Sequence, residues 1–321
     1  MNLPNSPVLT LPVLSLESDP ATLARDLGDS FQTFGFAMVR DHGLDPALVA
    51  RAWELTRQFF ALPEADKRAY LIPGQGGARG YTAFGTEVAK GATAHDLKEF
   101  WHVGRDLPSG HALAASMPPN IWPAQLPQFR ETFEALYAAL DHAGARILAR
   151  IAVWLGLDER WFDPAIDDGN SVLRLLHYPP VADAAESGGR GGAIRAGAHE
   201  DINLITLLLG AEEAGLELLT REGQWLEVAP PPGALVVNIG DMLQRLTNHV
   251  LPSTTHRVRN PAGERATHSR YSMPFFLHLR SDFAFHTLPQ CVSADHPDRY
   301  PVSITADDYL QQRLREIGLK K

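Results

Sequence analysis

The residues best suited to chemistry are His199, Asp201 and His256. His199 and Asp201 stand two apart in Gly197-Ala-His-Glu-Asp-Ile-Asn-Leu-Ile-Thr206, and Leu207, Leu208 and Leu209 follow in the same apolar run. In an extended strand, positions i and i+2 share a face. Both side chains can therefore converge on one cation, with Glu200 directed away. Two alternating positions offer only one edge of a coordination sphere, so a third ligand must come from a distant segment. His256 is the best placed, in the β-branched and strand-like run Ser253-Thr-Thr-His-Arg-Val258. Two imidazoles and one carboxylate on one face of an octahedron leave three open positions. That pattern suits Fe(II) that must also take a bidentate ligand and dioxygen. By itself His-x-Asp is a weak signal, and a distant histidine adds little in a chain with 13 of them.

Arg270 and Ser272 sharpen the pattern. They are again two apart and hence co-facial. A guanidinium matches a planar carboxylate, and a neighbouring hydroxyl can share the second oxygen. Arg270 lies 14 residues after His256, room for a strand, a turn at Asn260-Pro-Ala-Gly263 and a return strand. The expectation is a hairpin that sets Arg270 beside His256.

With these separations, His199-x-Asp201, His256 and Arg270-x-Ser272 resemble the 2-oxoglutarate/Fe(II)-dependent dioxygenases of the isopenicillin N synthase-like superfamily. The similarity extends through most of the chain. Phe34-Gly-Phe36 with Asp41-His-Gly43 resembles the family's N-terminal segment. Arg79-Gly-Tyr-Thr-Ala-Phe-Gly85 and Asp96-Leu-Lys-Glu-Phe-Trp-His102 resemble its middle. Val236-Val-Asn-Ile-Gly-Asp-Met-Leu243 resembles the core strand before the distal histidine. The resemblance implies a double-stranded β-helix (jelly roll) core with iron at its mouth, held by His199, Asp201 and His256. It implies 2-oxoglutarate bound through Arg270 and Ser272, with dioxygen as co-substrate and ascorbate in support. The implied reaction is oxidative decarboxylation of 2-oxoglutarate to succinate and carbon dioxide, coupled to hydroxylation, desaturation or ring closure of a small organic substrate. Many plant relatives carry Asn-x-Tyr before a Pro-rich turn, with that Tyr on the 2-oxoglutarate. This chain has Leu176-His-Tyr178. Tyr178 is carried over as a cofactor contact, and Leu176 departs from the pattern.

Substrate contacts are expected from aromatic residues, chiefly Tyr81, Phe84 and Phe275, with Phe100, Trp101 and Phe276 as further candidates. The Gly-rich and aromatic stretch from Gly74 to Gly91 reads either as a surface loop or as a flap that closes over substrate. His102 is the main rival metal ligand. It lacks a carboxylate two residues away, which favours a core or supporting role.

Two other readings stay open on the residues. One is an Fe(II) oxidase of the same fold that does not consume 2-oxoglutarate. The other is a non-catalytic metal-binding jelly-roll module. A nucleic-acid-directed member is disfavoured, because a net charge of −9 gives no broad basic footprint. The expected partner is a small molecule, without nucleic acid or membrane. One cysteine, Cys291, allows no internal disulfide, in keeping with a reducing cytoplasm. No apolar run reaches membrane-spanning length, and Met1-Asn-Leu-Pro-Asn-Ser-Pro7 lacks the basic-then-apolar order of a secretory signal.

The elements that must position these groups read as mainly β with flanking helices. Residues 1–125 form a mixed α/β N-terminal region. Residues 126–321 carry a long helix, the jelly-roll core and a C-terminal helix, the whole making one compact unit. Asp19-Pro20 and Pro46 open helices. From Pro127 to Leu157, Phe129, Phe133, Leu136, Leu140, Ile147 and Ile151 recur at three- and four-residue steps, and Gly156 marks the end. Short strands are expected at Val8–Leu14, Phe36–Arg40, Glu99–His102, Val172–Tyr178, Leu216–Leu219, Gln224–Val228, Ala234–Ile239 and Arg270–His278. The tail from Thr305 to Lys321 reads as a helix with Asp307-Asp308 at its start and Lys320-Lys321 at its end.

Overall fold

The computed structural model describes residues 10–74, 77–86, 97–180, 195–210, 215–259 and 267–316. The start of the expected first strand, residues 181–194, the turn at 260–263, parts of the Gly-rich stretch and the two terminal lysines lie outside the described residues.

Two sheets face each other among these residues. The larger has eight strands in the order β1-β2-β10-β7-β12-β5-β4-β3, and the smaller has four in the order β6-β11-β8-β9. In chain order these are β1 (Val13–Ser15), β2 (Phe36–Arg40), β3 (Gly80–Thr82), β4 (Glu99–Gly104), β5 (Val172–Tyr178), β6 (Ala196–His199), β7 (Ile205–Leu209), β8 (Leu216–Leu219), β9 (Trp225–Glu227), β10 (Leu235–Ile239), β11 (His256–Val258) and β12 (Arg270–Leu277). All pairings are antiparallel except β1 with β2. A further pair, β13 (Ala284–Phe285) and β14 (Ile304–Thr305), stands apart.

Helices cover the outer face of the larger sheet. They are α1 (Pro20–Phe34), α2 (Pro46–Phe60), the short α3 (Glu64–Arg68) and α4 (Phe129–Trp154). The expected caps form: Asp19 accepts from Thr22 N at 3.0 Å, and Asp45 accepts from Ala47 N at 2.9 Å. Gly156 takes φ +74°, with Gly156 N donating to Val153 O and Leu157 N to Ala152 O. This left-handed stop satisfies the last carbonyls of α4.

The 3.6-residue stripe of α4 buries Phe129, Phe133, Leu136, Leu140, Ile147 and Ile151 completely. Gly144 falls on that stripe where the helix meets β12. A Cβ built there would lie 2.3 Å from Leu277 Cδ1 and 3.4 Å from Leu207 Cδ1. Glycine is therefore the residue that lets helix and sheet approach, although it weakens the isolated helix. Gly144→Val should cost about 1–3 kcal/mol by overpacking, read as a lower denaturation midpoint. A midpoint equal to that of the parent protein would show that the interface can open without cost.

Two expectations are corrected. The segment after His256 does not return as a hairpin neighbour. β11 pairs with β6 and β8 in the smaller sheet, while β12 pairs with β5 and β7 in the larger. Arg270 thus faces the metal-ligand candidates from the opposite sheet, because the chain changes layers between the two strands. The second correction concerns Asp201. β6 ends at His199, so Asp201 sits beyond the strand and pleat alternation does not aim it.

Candidate active site

His199 ends β6 and His256 begins β11, and the two are direct antiparallel partners. Their ring centroids are 4.4 Å apart. The Nδ1 atom of His199 lies 2.7 Å from Gly197 O, and that of His256 lies 3.1 Å from Thr254 O. A backbone carbonyl can only accept, so each ring carries its proton on Nδ1 and presents the Nε2 lone pair. Both lone pairs face the same carboxylate: His199 Nε2 is 3.9 Å from Asp201 Oδ1, and His256 Nε2 is 3.8 Å from Asp201 Oδ2.

Asp201 is aimed from the larger sheet. Its Oδ2 accepts from Thr206 Oγ1 at 2.6 Å on β7 and from Asn238 Nδ2 at 2.8 Å on β10. Thr206 and Asn238 are themselves register partners. Asp201 O also accepts from Asp241 N at 2.7 Å. Glu200 turns away, its Oε1 accepting from Thr255 Oγ1 at 3.0 Å. Ligand atoms from His199, Asp201 and His256 all lie within 4.8 Å of one another. Two imidazole nitrogens and one carboxylate oxygen gathered this closely fit a divalent cation.

The electrostatics agree. Burial, then the neighbouring His256, push the His199 imidazole down to about 4, against a smaller opposing pull from Asp201. The side chain remains 46% reachable by solvent, so the protein packed around the ring depresses it while a ligand can still approach. Burial alone would raise the Asp201 carboxyl. The two histidines and the hydrogen bonds from Asn238 and Thr206 outweigh it and hold the group below its usual range. Phe36 packs edge-on against His256 at 5.5 Å and limits that ring's rotation.

Arg270 and Ser272 are buried on the face of β12 that looks toward the smaller sheet. Across the pairing with β5 they oppose Tyr178 and Leu176. The Arg270 guanidinium carbon lies 5.3 Å from the Tyr178 ring centre. A buried guanidinium flanked by a hydroxyl and a phenol can receive a carboxylate. Leu176, where many plant relatives have Asn, is packed in the apolar cluster with Tyr178 and Phe100 and offers no polar contact.

The aromatic candidates separate by face. Tyr81 and Phe275 do not line this interior, and both expectations are corrected. Tyr81 points to the helical side, 5.9 Å from Phe59, with its hydroxyl on Glu99. Phe275 packs against Tyr137 of α4 at 5.0 Å. Each is one position out of phase with the interior residues of its strand, which the period of two makes decisive. Trp101 shares the helical side, 4.8 Å from Phe59. Phe100 and Phe276 point inward. Phe84 is exposed in the turn after β3, and nothing places it against the triad. His102 stands apart from the triad, with Nδ1 2.6 Å from Gly77 O.

Sequence reasoning passed over Thr206 and Asn238. Thr206 and Asn238 were visible only as polar residues interrupting apolar strands, a signal in a strand buried on both sides.

Comparisons with known proteins bear on this site. Residues 7–125 match the family model of the N-terminal region of a non-haem dioxygenase in morphine synthesis. Residues 169–279 match the model of the 2OG-Fe(II) oxygenase superfamily. The 2-oxoglutarate-Fe(II) type oxidoreductase hxnY of Emericella nidulans is 35% identical over 305 residues, spanning 92% of this chain and 85% of its own. A 2OG-Fe(II) oxygenase family protein of Caulobacter crescentus superposes with a TM-score of 0.88 at 55% identity, over 96% of this chain and 99% of its own. A Neurospora crassa protein, solved in complex with alpha-KG and thymine, superposes with a TM-score of 0.84 at 30% identity, over 97% and 98% of the two chains.

Proposed function

This chain belongs to the 2OG-Fe(II) oxygenase superfamily and is a 2-oxoglutarate- and Fe(II)-dependent dioxygenase; from that premise we propose that His199, Asp201 and His256 hold its iron and that Arg270, Ser272 and Tyr178 hold its 2-oxoglutarate. The observation that carries the assignment is the convergence of two Nε2 atoms and one carboxylate within 4.8 Å. A buried Arg/Ser pair faces them from the opposite sheet. We read the two facing sheets as a double-stranded β-helix. Residues 1–125 serve as its supporting N-terminal region and 126–321 as the core with its flanking helices.

When bound, the iron would supply the redox chemistry by which dioxygen, as the four-electron oxidant, converts 2-oxoglutarate to succinate and carbon dioxide and oxidises a small organic substrate. The chain's own share is positional. Gly197 O and Thr254 O fix the ligand tautomers of the two histidines. Thr206 and Asn238 fix the carboxylate of Asp201. Arg270 and Ser272 take the carboxylate of 2-oxoglutarate that is remote from the metal, which sets the distance and angle at which its keto acid end is presented. Tyr178 packs beside the guanidinium and excludes water from that ion pair, which strengthens it. Ascorbate serves as a supporting reductant. The single thiol, Cys291, is buried and held up at about 11 by that burial, and takes no part in the chemistry; we read the setting as cytoplasmic. No helix among the described residues is long and apolar enough to cross a membrane.

An anaerobic titration of the Fe(II)-loaded protein with 2-oxoglutarate, followed through the visible charge-transfer band of the chelate, tests the assignment. The band should form in the parent protein. In Arg270→Ala it should require roughly 10–100-fold more 2-oxoglutarate, the loss expected for one charge-assisted pair of about 1.5–3 kcal/mol. An unchanged titration in Arg270→Ala would remove Arg270 from the cofactor site. Iron binding without any band in the parent protein would overturn the whole cofactor assignment.

A further inference from the structure

Asp201 is mounted on a turn that no strand ladder holds. Residues 201–204 lie between the end of β6 at His199 and the start of β7 at Ile205. Their backbone is tied instead to the start of a short helix, Asp241–Leu246, and to the glycine before it. Gly240 N donates to Leu204 O at 2.8 Å, Asp241 N to Asp201 O at 2.7 Å and Met242 N to Asn203 O at 3.0 Å. The first N–H groups of a helix have no partner within it, and here three in a row are taken up by the ligand turn. The approach is close: a Cβ on Gly240 would lie 2.3 Å from Asn203 O. Asn203 carries the same network to the carboxylate, because its Nδ2 donates to Thr206 Oγ1 at 2.8 Å and Thr206 donates to Asp201 Oδ2.

The helix that supplies these donors has six residues. Helices shorter than about 12 residues are marginal in water on their own, so this one takes its position from what anchors it. At its first residue the anchor is an ion pair to the C-terminal helix, Ala306–Glu316. Arg313 Nε and Nη2 both donate to Asp241 Oδ2, each at 2.9 Å. The Asp241 side chain is 2% exposed and that of Arg313 22%, so salt screens this pair less than it would a surface pair. Arg313 Nη1 also donates to Glu316 Oε2 at 2.6 Å, which orients the guanidinium from its own helix. Asp241 therefore holds Arg313 by its carboxylate and Asp201 by its amide.

We infer that Arg313 is a positioning residue for the metal site: acting through Asp241, it makes the C-terminal helix a brace for the backbone that carries Asp201. The inference rests on the assignment of Asp201 as an iron ligand in the preceding subsection. Removing the guanidinium leaves the buried Asp241 carboxylate without its cation. The start of the short helix then shifts to bring that charge to water, and the ligand turn moves with the three N–H groups that hold it. A lysine keeps the charge but replaces a planar fork with a compact ammonium, so it restores the brace only in part.

The test is Fe(II) affinity measured anaerobically by competition with a colorimetric chelator, beside the position of the 2-oxoglutarate chelate band and the unfolding midpoint of the metal-free protein. Arg313→Ala should bind iron about tenfold more weakly, the low end of the range for groups that support a metal ligand, and should move the band maximum. Arg313→Lys should fall between Arg313→Ala and the parent protein on both readouts. Gln312→Ala removes an exposed contact of the same helix to Glu316 and should leave iron affinity and band unchanged. A lower unfolding midpoint in Arg313→Ala, with parental iron affinity and band, would show a merely structural ion pair and overturn the inference. An equal loss of iron affinity in Gln312→Ala would overturn it too, by assigning the effect to the helix in general. Should Arg313→Ala fail to fold, Arg313→Lys decides: weakened iron binding with a moved band upholds the brace, and parental values overturn it. Failure of the parent protein to bind Fe(II) would instead remove the site assignment beneath it.

Discussion

Asp201→Ala should lose iron and, with it, all 2-oxoglutarate turnover. The carboxylate is the only anionic donor in the candidate triad, and its loss leaves two neutral imidazoles. Supporting residues of metal ligands are worth about 10–100-fold in metal affinity. Asn238→Ala and Thr206→Val should fall in that range, since each removes one hydrogen bond from Asp201 Oδ2. Loss of the ligand itself should exceed about 100-fold by the same comparison. Metal content after anaerobic loading and desalting, measured beside circular dichroism, checks both expectations. Full iron occupancy in Asp201→Ala would show that the carboxylate is not a ligand. Unchanged occupancy in Asn238→Ala would show that its hydrogen bond does not aim Asp201.

The second large effect lies on the far side of the sheet. Glu99, on β4, accepts from Lys67 Nζ at 2.8 and 3.0 Å. It also pairs with His177 Nδ1 at 2.7 Å and with the Tyr81 hydroxyl. Glu99 and Lys67 are both nearly inaccessible to water. Removing one partner of a buried pair strands the other charge, at a cost of about 3–5 kcal/mol. Glu99→Ala should therefore lower the denaturation midpoint substantially, and Glu99→Gln less, because an amide still offers an acceptor to Lys67. A midpoint within error of the parent protein in Glu99→Ala would show that water or repacking replaces the pair.

The same cluster gives a pH dependence whose sign is determined. Burial opposes ionisation of Glu99, but the hydrogen bonds from His177, Lys67 and Tyr81, with the Lys67 charge, outweigh it and hold the carboxyl below its ordinary value. A depressed folded pKa means that the unfolded chain binds the proton more readily. The stabilisation is complete above the ordinary glutamate pKa of about 4.3 and is lost as pH falls through the folded value. Glu99→Gln should flatten the loss of stability on acidification in that window. An equally steep acid limb in the variant would assign the effect to other carboxylates.

This cluster was illegible in the sequence. Lys67 belongs to Glu64-Ala-Asp-Lys-Arg68, a short helix opened by Pro63, and Glu99 and His177 stand in apolar strands far along the chain. The register of β4 with β5 sets Glu99 opposite His177, and α3 delivers Lys67 from above. Long-range pairing of this kind leaves no local periodic trace.

Local order, by contrast, was written in the chain. The caps at Asp19 and Asp45, the stripe of α4 and the stop at Gly156 follow from interactions among residues a few positions apart. The candidate ligand types were also local information: His-x-Asp is a weak signal by itself, and Arg-x-Ser downstream sharpens it. What tertiary structure alone decided was direction and company. Asp201 is aimed by Thr206 and Asn238 because β6 stops at His199. Arg270 faces the triad from the other sheet because the chain changes layers after β11. Phe276 and Phe100 face the interior while Phe275 and Tyr81 face the helices, since a strand with both faces buried is apolar throughout and only its pairing register says which side is which.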